Sequence, residues 1–220
     1  MQNAINKFID HTLLKPTATA TDIKNLCKEA IDNDFFAVCV NSCYVELAKK
    51  ELKNSGVKVC SVVGFPLGAI HTNAKAFEAK LAIDNGADEV DMVINLGLIK
   101  SQNWEMVQKD IEMVKNAIGN KVLKVILETS YLNEEEITKV CEIAVLAQAD
   151  YLKTSTGFAS NGATEEDVRL MKKAVNNQAK IKASGGIRDL STALIFIKLG
   201  VTRIGTSSGV KIINQQRMNK

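Results

Sequence analysis

Three lysines and one aspartate occupy matching positions in four successive apolar runs of this chain. Asp91 alternates with Val90 and Met92, Lys124 with Leu123 and Val125, Lys153 with Leu152 and Thr154, and Lys182 with Ile181 and Ala183. Side chains along a β-strand point alternately to opposite faces. If each run is a strand, all four charges therefore share the face opposite the apolar row. Unpaired buried charge costs several kcal/mol per ion, so charges aimed into one interior are better explained by chemistry than by stability. For any single lysine the rival reading is a strand end that snorkels to solvent. Four residues of matching parity weigh against that reading.

An amine attacks an aldehyde to form an imine only when unprotonated, and with an ordinary pKa near 10.4 about one lysine in 2,500 is neutral at pH 7. Burial and a neighbouring like charge both favour the neutral form. With Lys153 as the nucleophile, Lys182 on the next run would supply that like charge. A shift of about three pKa units corresponds to ~4 kcal/mol, within reach of one close cation plus partial burial. Asp91 would then be the carboxylate available for proton transfer, directly or through one water.

Two glycine-rich turns follow the last two runs: Ser184-Gly185-Gly186-Ile187-Arg188 and Gly205-Thr206-Ser207-Ser208-Gly209. Glycine lets backbone N–H groups approach an anion closely, and the start of a following helix adds partial positive charge. Gly157 would contribute a third wall. A phosphorylated substrate is the expectation.

The elements that must position these residues form a repeat. Apolar, β-rich runs occur at 8–14, 37–41, 57–65, 89–95, 123–129, 151–157, 181–186 and 203–208. That is about 27 residues per unit, close to what a strand, a crossover helix and two connections need. Thr19 with Asp22, Asn133 with Glu136 and Thr164 with Asp167 resemble capping arrangements at helix starts. Gly56, Gly86, Gly119 and Gly200 sit where helices would end. Pro16 and Pro66 mark strand-to-loop boundaries. Strands alternating with helices predict a parallel sheet. The first run leads into Lys15-Pro16-Thr17-Ala18, not into the Gly-rich loop of an open doubly wound sheet. A single (β/α)8 TIM barrel over residues 1–220, with a short C-terminal tail from about 210, is therefore expected.

Composition narrows the partners. A net charge of +3 among 220 residues, evenly spread, gives no basis for nucleic-acid or membrane-surface binding. No run is apolar enough to span a bilayer. The five cysteines (Cys27, Cys39, Cys43, Cys60 and Cys141) include no CxxC pair. The odd count opposes a disulfide framework, and Cys39 and Cys43, although four apart, have only two histidines in the chain to complete a metal site. A reduced, cytoplasmic protein without metal or cofactor is the expectation. His11 and His71 read as hydrogen-bonded loop or strand-end residues, and Trp104 as a packing residue opening a helix.

Three segments carry a family resemblance: Glu89-Val-Asp91-Met-Val-Ile-Asn95, Lys153-Thr-Ser-Thr-Gly157-Phe158 and Lys182-Ala-Ser-Gly185-Gly186-Ile-Arg188. With Asp10-His11-Thr12-Leu13-Leu14-Lys15, Cys39-Val40-Asn41 and Gly64-Phe65-Pro66-Leu67-Gly68, they resemble the signature segments of the deoxyribose-phosphate aldolases, in order, from about residue 8 to 209. The resemblance implies reversible, metal-independent cleavage of 2-deoxyribose 5-phosphate to acetaldehyde and glyceraldehyde 3-phosphate. It implies Lys153 as the Schiff-base lysine, Lys182 as its perturbing neighbour and Asp91 as the acid/base. It further implies Asp10, Thr12, Asn41 and Lys124 as lining the site, and Gly157, Gly185, Gly186, Ser207 and Ser208 as binding phosphate. Members are often dimers, so a homodimer is expected. Some end in a flexible tail with a terminal tyrosine that shuttles a proton to the enamine. Here no tyrosine follows Tyr151, which leaves that step to water, makes it slower, or reflects a chain cut short. Another Schiff-base aldolase of phosphosugars, and a non-catalytic sugar-phosphate-binding barrel, remain the alternatives.

Overall fold

The computed structural model describes residues 5–219. Eight strands run in chain order around a closed barrel: β1 (Ile9–Leu13), β2 (Ala37–Val40), β3 (Lys58–Val63), β4 (Glu89–Val93), β5 (Val122–Ile126), β6 (Tyr151–Lys153), β7 (Lys180–Ser184) and β8 (Arg203–Thr206). Each strand pairs in parallel with the next, and β8 returns to β1. The register places Asp91 beside Lys124 and Lys153 beside Lys182.

Among the described residues, nine helices follow the strands: α1 (Ala20–Asp32), α2 (Val45–Glu51), α3 (Thr72–Asp84), α4 (Leu96–Lys100), α5 (Trp104–Ile118), α6 (Glu134–Leu146), α7 (Glu165–Val175), α8 (Leu190–Lys198) and α9 (Gly209–Met218). Their starts follow the sequence signals. Thr19 and Asn133 form complete capping boxes with Asp22 and Glu136, whereas Thr164 accepts from the Asp167 amide without the reciprocal bond. His71 caps α3 by accepting from the Asn73 amide, and Trp104 opens α5 and packs on the core.

Two expectations change. Gly56 does not close α2; the left-handed residue after that helix is Asn54, a side chain that tolerates this conformation better than most. The short tail expected from about 210 is helical. Residues Gly209–Met218 form α9, and buried Ile212 and Ile213 dock it onto the barrel.

The outward row of each strand supplies the main core. Val90, Met92, Leu123, Val125, Leu152, Ile181 and Ala183 are all buried between barrel and helices, each large side chain contributing roughly 1.5–3 kcal/mol. A small separate cluster of Leu14, Cys39, Cys60 and Val62 packs against Phe65. Between α3 and α5 lies a fully buried ion pair, Lys75 to Asp110 at 2.5 Å, which Thr72 joins through a 2.9 Å bond to the same carboxylate.

Candidate active site

Alternation along β4, β5, β6 and β7 sends Asp91, Lys124, Lys153 and Lys182 into the barrel, where all four are buried. Asp91 is the hub. Its Oδ2 accepts from Lys153 Nζ and Lys182 Nζ, each at 2.8 Å. Its Oδ1 accepts from Lys124 Nζ at 2.7 Å and from the Cys60 thiol at 3.0 Å. The amines of Lys153 and Lys182 thus flank one oxygen.

Beneath this hub the cluster continues to the base of the barrel. Lys182 also donates to Asp10, and Lys124 pairs with Glu89 at 2.7 Å. Arg203 donates to Asp10 at 2.9 Å and to Glu89 at 3.2 Å, and its guanidinium lies 3.4 Å from the centre of the Phe36 ring. Arg203, Glu89 and Tyr151 each open a strand, so together they plug the barrel at the strands' amino-terminal ends.

Burial alone would disfavour the charges of Asp10, Asp91, Lys124, Lys182 and Arg203, but their pairing overrides it. Burial opposes ionisation of Asp91, yet Lys124, Lys153 and Lys182 hold its carboxyl well below the usual range. Burial likewise opposes the Lys182 cation, and Asp10 and Asp91 hold its pKa above the ordinary lysine value. Lys124 is raised in the same way by Asp91, Cys60 and Glu89. For Asp10, burial is outweighed by Lys182, Arg203 and Lys124, which bring it to about 2.

Four cations face three carboxylates in this cluster: Lys124, Lys153, Lys182 and Arg203 against Asp10, Glu89 and Asp91. Lys124, Lys182 and Arg203 each meet two carboxylates; Lys153 meets only Asp91. Loss of one proton would balance the cluster.

Above the cluster, at the strands' carboxyl-terminal ends, is a cavity of about 220 Å³. Lys153 lines it; Asp10, Asp91, Lys124 and Lys182 do not. Its walls bring together Thr12, Gly157, Gly185, Gly186 and Ser207 from the expected set. Asn41 and Ser208 lie outside the lining: Asn41 precedes the 3-10 turn Ser42–Tyr44, and Ser208 precedes α9. Lys15 and Arg188 also line the cavity. They stand inside the sequence motifs but were assigned no role there, although a cation within a Gly-rich turn is a usable signal. A wider cleft of about 460 Å³ along α2 touches none of Lys124, Lys153 and Lys182.

The floor also contains Cys39 and Cys60, register partners on β2 and β3, which converge on Asp91 within 4.8 Å. Cys43, paired with Cys39 by sequence spacing, is instead exposed. Two thiols and a carboxylate are a donor set for a soft cation. The Lys124 ammonium, however, already lies 3.2 Å from Cys60 Sγ and 2.7 Å from Asp91, so a metal would have to displace it.

Known proteins share this chain's fold and much of its sequence. The DeoC/LacD aldolase family matches residues 5–215. A protein of Finegoldia magna described as deoxyribose-phosphate aldolase is 58% identical over 209 residues, covering 95% of this chain and 98% of the relative. Among solved structures, an aldolase called QR15 superposes with a TM-score of 0.94 at 43% identity, covering 100% and 98% of the two chains. The deoxyribose phosphate aldolase of Aeropyrum pernix, described as tetrameric, superposes with a TM-score of 0.87 at 33% identity, covering 97% and 91%. The chain belongs to the DeoC/LacD family of aldolases.

Proposed function

We propose that the chain is a metal-independent class I aldolase that reversibly cleaves 2-deoxy-D-ribose 5-phosphate to acetaldehyde and D-glyceraldehyde 3-phosphate, with Lys153 forming the Schiff base. One observation carries the choice of amine: Lys153 alone in the charged cluster both lines the cavity and has a single carboxylate partner. Lys182 and Lys124 are locked as cations by two carboxylates each, which suits them to perturbing and balancing charge and not to attack.

In the reaction, neutral Lys153 adds to C1 of the open-chain sugar, and loss of water gives an iminium. The C3 hydroxyl gives up its proton, the C2–C3 bond breaks, and its electron pair flows into the enamine. Glyceraldehyde 3-phosphate leaves, a proton adds to C2, and hydrolysis frees acetaldehyde and Lys153. Asp91 is the base, acting through a water. In the resting site it is chiefly a counter-ion, since four donors saturate it. Conversion of the Lys153 ammonium, with three N–H donors, to an iminium with one loosens its hold on Asp91. Phosphate held by Gly157, Gly185, Gly186 and Ser207 fixes the reacting carbons over Lys153, with Thr12 in the cavity wall, Asp10 and Lys124 in the charged cluster beneath, and Asn41 and Ser208 joining the site from just outside its lining.

A cytoplasmic homodimer belongs to the same reading. Free thiols at all five cysteines suit a reducing compartment, and the tetrameric A. pernix relative shows self-association within the family; sedimentation of the purified protein reads out the assembly. Borohydride reduction in the presence of acetaldehyde tests the chemistry. Mass should be added at Lys153, and a folded Lys153→Leu variant should gain none and should not split deoxyribose 5-phosphate. Faster turnover of a ketose phosphate, or labelling at Lys182 instead, would overturn the assignment.

A further inference from the structure

Glu128 is buried, lies two residues beyond β5 and is held in a left-handed backbone conformation (φ 54°, ψ 61°). Such a conformation is unfavourable for a non-glycine residue and persists where surrounding contacts enforce it. Here those contacts converge on one residue of the next loop. The Thr156 N–H donates to both carboxylate oxygens at 3.2 Å, and the Thr156 hydroxyl donates to Oε2. Among the described residues, Glu128 meets no lysine or arginine within ion-pair distance, so its carboxylate is committed to this loop.

The clasp has a specific product. Thr156 Oγ1 also accepts from the Phe158 N–H at 3.0 Å. The amides on both sides of Gly157 are thereby consumed, while among the described residues no acceptor meets the Gly157 N–H itself. Gly157 lines the cavity with a positive φ of 86°. The same loop then returns against the β7–α8 turn, where a Cβ on Gly162 would lie 2.2 Å from the Gly185 carbonyl oxygen. One carboxylate thus sets the height of one glycine wall and, through it, the seating of the other.

We infer that Glu128 is a positioning residue for the phosphate: clasping Thr156, it leaves the Gly157 amide unpaired and aimed at the anion above Lys153. The inference rests on the phosphate reading proposed above. Glu128 touches no reacting atom, so imine formation with acetaldehyde, which carries no phosphate, does not depend on it.

Glu128→Ala removes the clasp, Thr156→Val keeps its backbone N–H bonds but loses the hydroxyl that binds Glu128 and caps the Phe158 N–H, and Thr156→Ser preserves that hydroxyl. Kinetics on 2-deoxyribose 5-phosphate and on unphosphorylated 2-deoxyribose separate the possibilities. For Glu128→Ala and Thr156→Val, kcat/KM on the phosphorylated sugar should fall about 10- to 30-fold, the effect of about one charge-assisted hydrogen bond. Most of the fall should be in KM. Turnover of 2-deoxyribose and borohydride trapping of acetaldehyde on Lys153 should stay within about twofold of the parent, and Thr156→Ser should restore the phosphorylated sugar. If Glu128→Ala fails to fold, the Thr156 pair decides alone. Equal losses on both sugars, or no loss on either, would overturn the role of Glu128. A parent enzyme that does not prefer the phosphorylated sugar would instead remove the phosphate reading, and this inference with it.

Discussion

Lys153 and Lys182 stand opposite each other in the β6–β7 register, and both amines reach the same oxygen of Asp91. The pair is asymmetric. Lys182 is sealed below with a second carboxylate, Asp10, while Lys153 opens onto the cavity. Replacing Lys182 by methionine keeps the length and removes the fixed cation. The expected outcome is a fall in kcat of about 10²–10⁴, the range spanned by a positioned proton-transfer or charge partner. Borohydride labelling of Lys153 should slow in parallel, with the fold retained by circular dichroism.

Acid should unfold the protein partly through Asp10. Its folded pKa, about 2, lies below the ordinary carboxylate value. Its contribution is therefore fully present above pH 4 and disappears as pH falls through about 2. For this buried group the amount is on the order of 2 kcal/mol. Denaturant unfolding between pH 6 and 2 should give a shallower pH slope for Asp10→Asn than for the parent.

The Lys75–Asp110 pair joins α3 to α5 away from the lysine cluster, so it offers a stability test without a direct catalytic effect. Asp110→Asn leaves a buried ammonium without its counter-charge and should cost about 3–5 kcal/mol. The double change Lys75→Met with Asp110→Leu should recover most of that loss. Equal destabilisation by the single and double variants in urea would contradict this.

Gly185→Ala tests the phosphate wall. Gly185 has a φ of 87°, and a Cβ there would lie 2.8 Å from the Gly162 Cα. Backbone must move, at a cost of roughly 1–3 kcal/mol. The melting temperature should fall, and KM for deoxyribose 5-phosphate should rise several-fold more than KM for deoxyribose.

Much of this was legible in the chain because a strand encodes its faces with a period of two. Alternation alone sent Asp91, Lys124, Lys153 and Lys182 to one interior, and local pairs such as Thr19 with Asp22 marked helix starts. The base of the barrel was partly readable: Glu89 shares the parity of Asp91, but its partner Arg203 is 114 residues away, and nothing local announces a contact at that separation. The convergence of Cys39 and Cys60 required the β2–β3 register. Glu128, which shares the parity of Lys124 in the run 123–129, was legible as a position but not as a contact. Its clasp on Thr156 bridges two loops beyond the strand ends, where no periodicity constrains direction. Asn54 displaced Gly56 because a polar residue can take a left-handed turn as well, so counting glycines overstates which ones close helices.

The plug of Arg203, Glu89 and Tyr151 makes the barrel a blind well. Everything that reacts must come and go by one opening, and the two-carbon fragment is made at the bottom, tethered beneath its larger partner. Traffic is therefore sequential: the three-carbon phosphate departs before acetaldehyde. On the Lys153 tether proposed above, the small aldehyde therefore loads first in the synthetic direction.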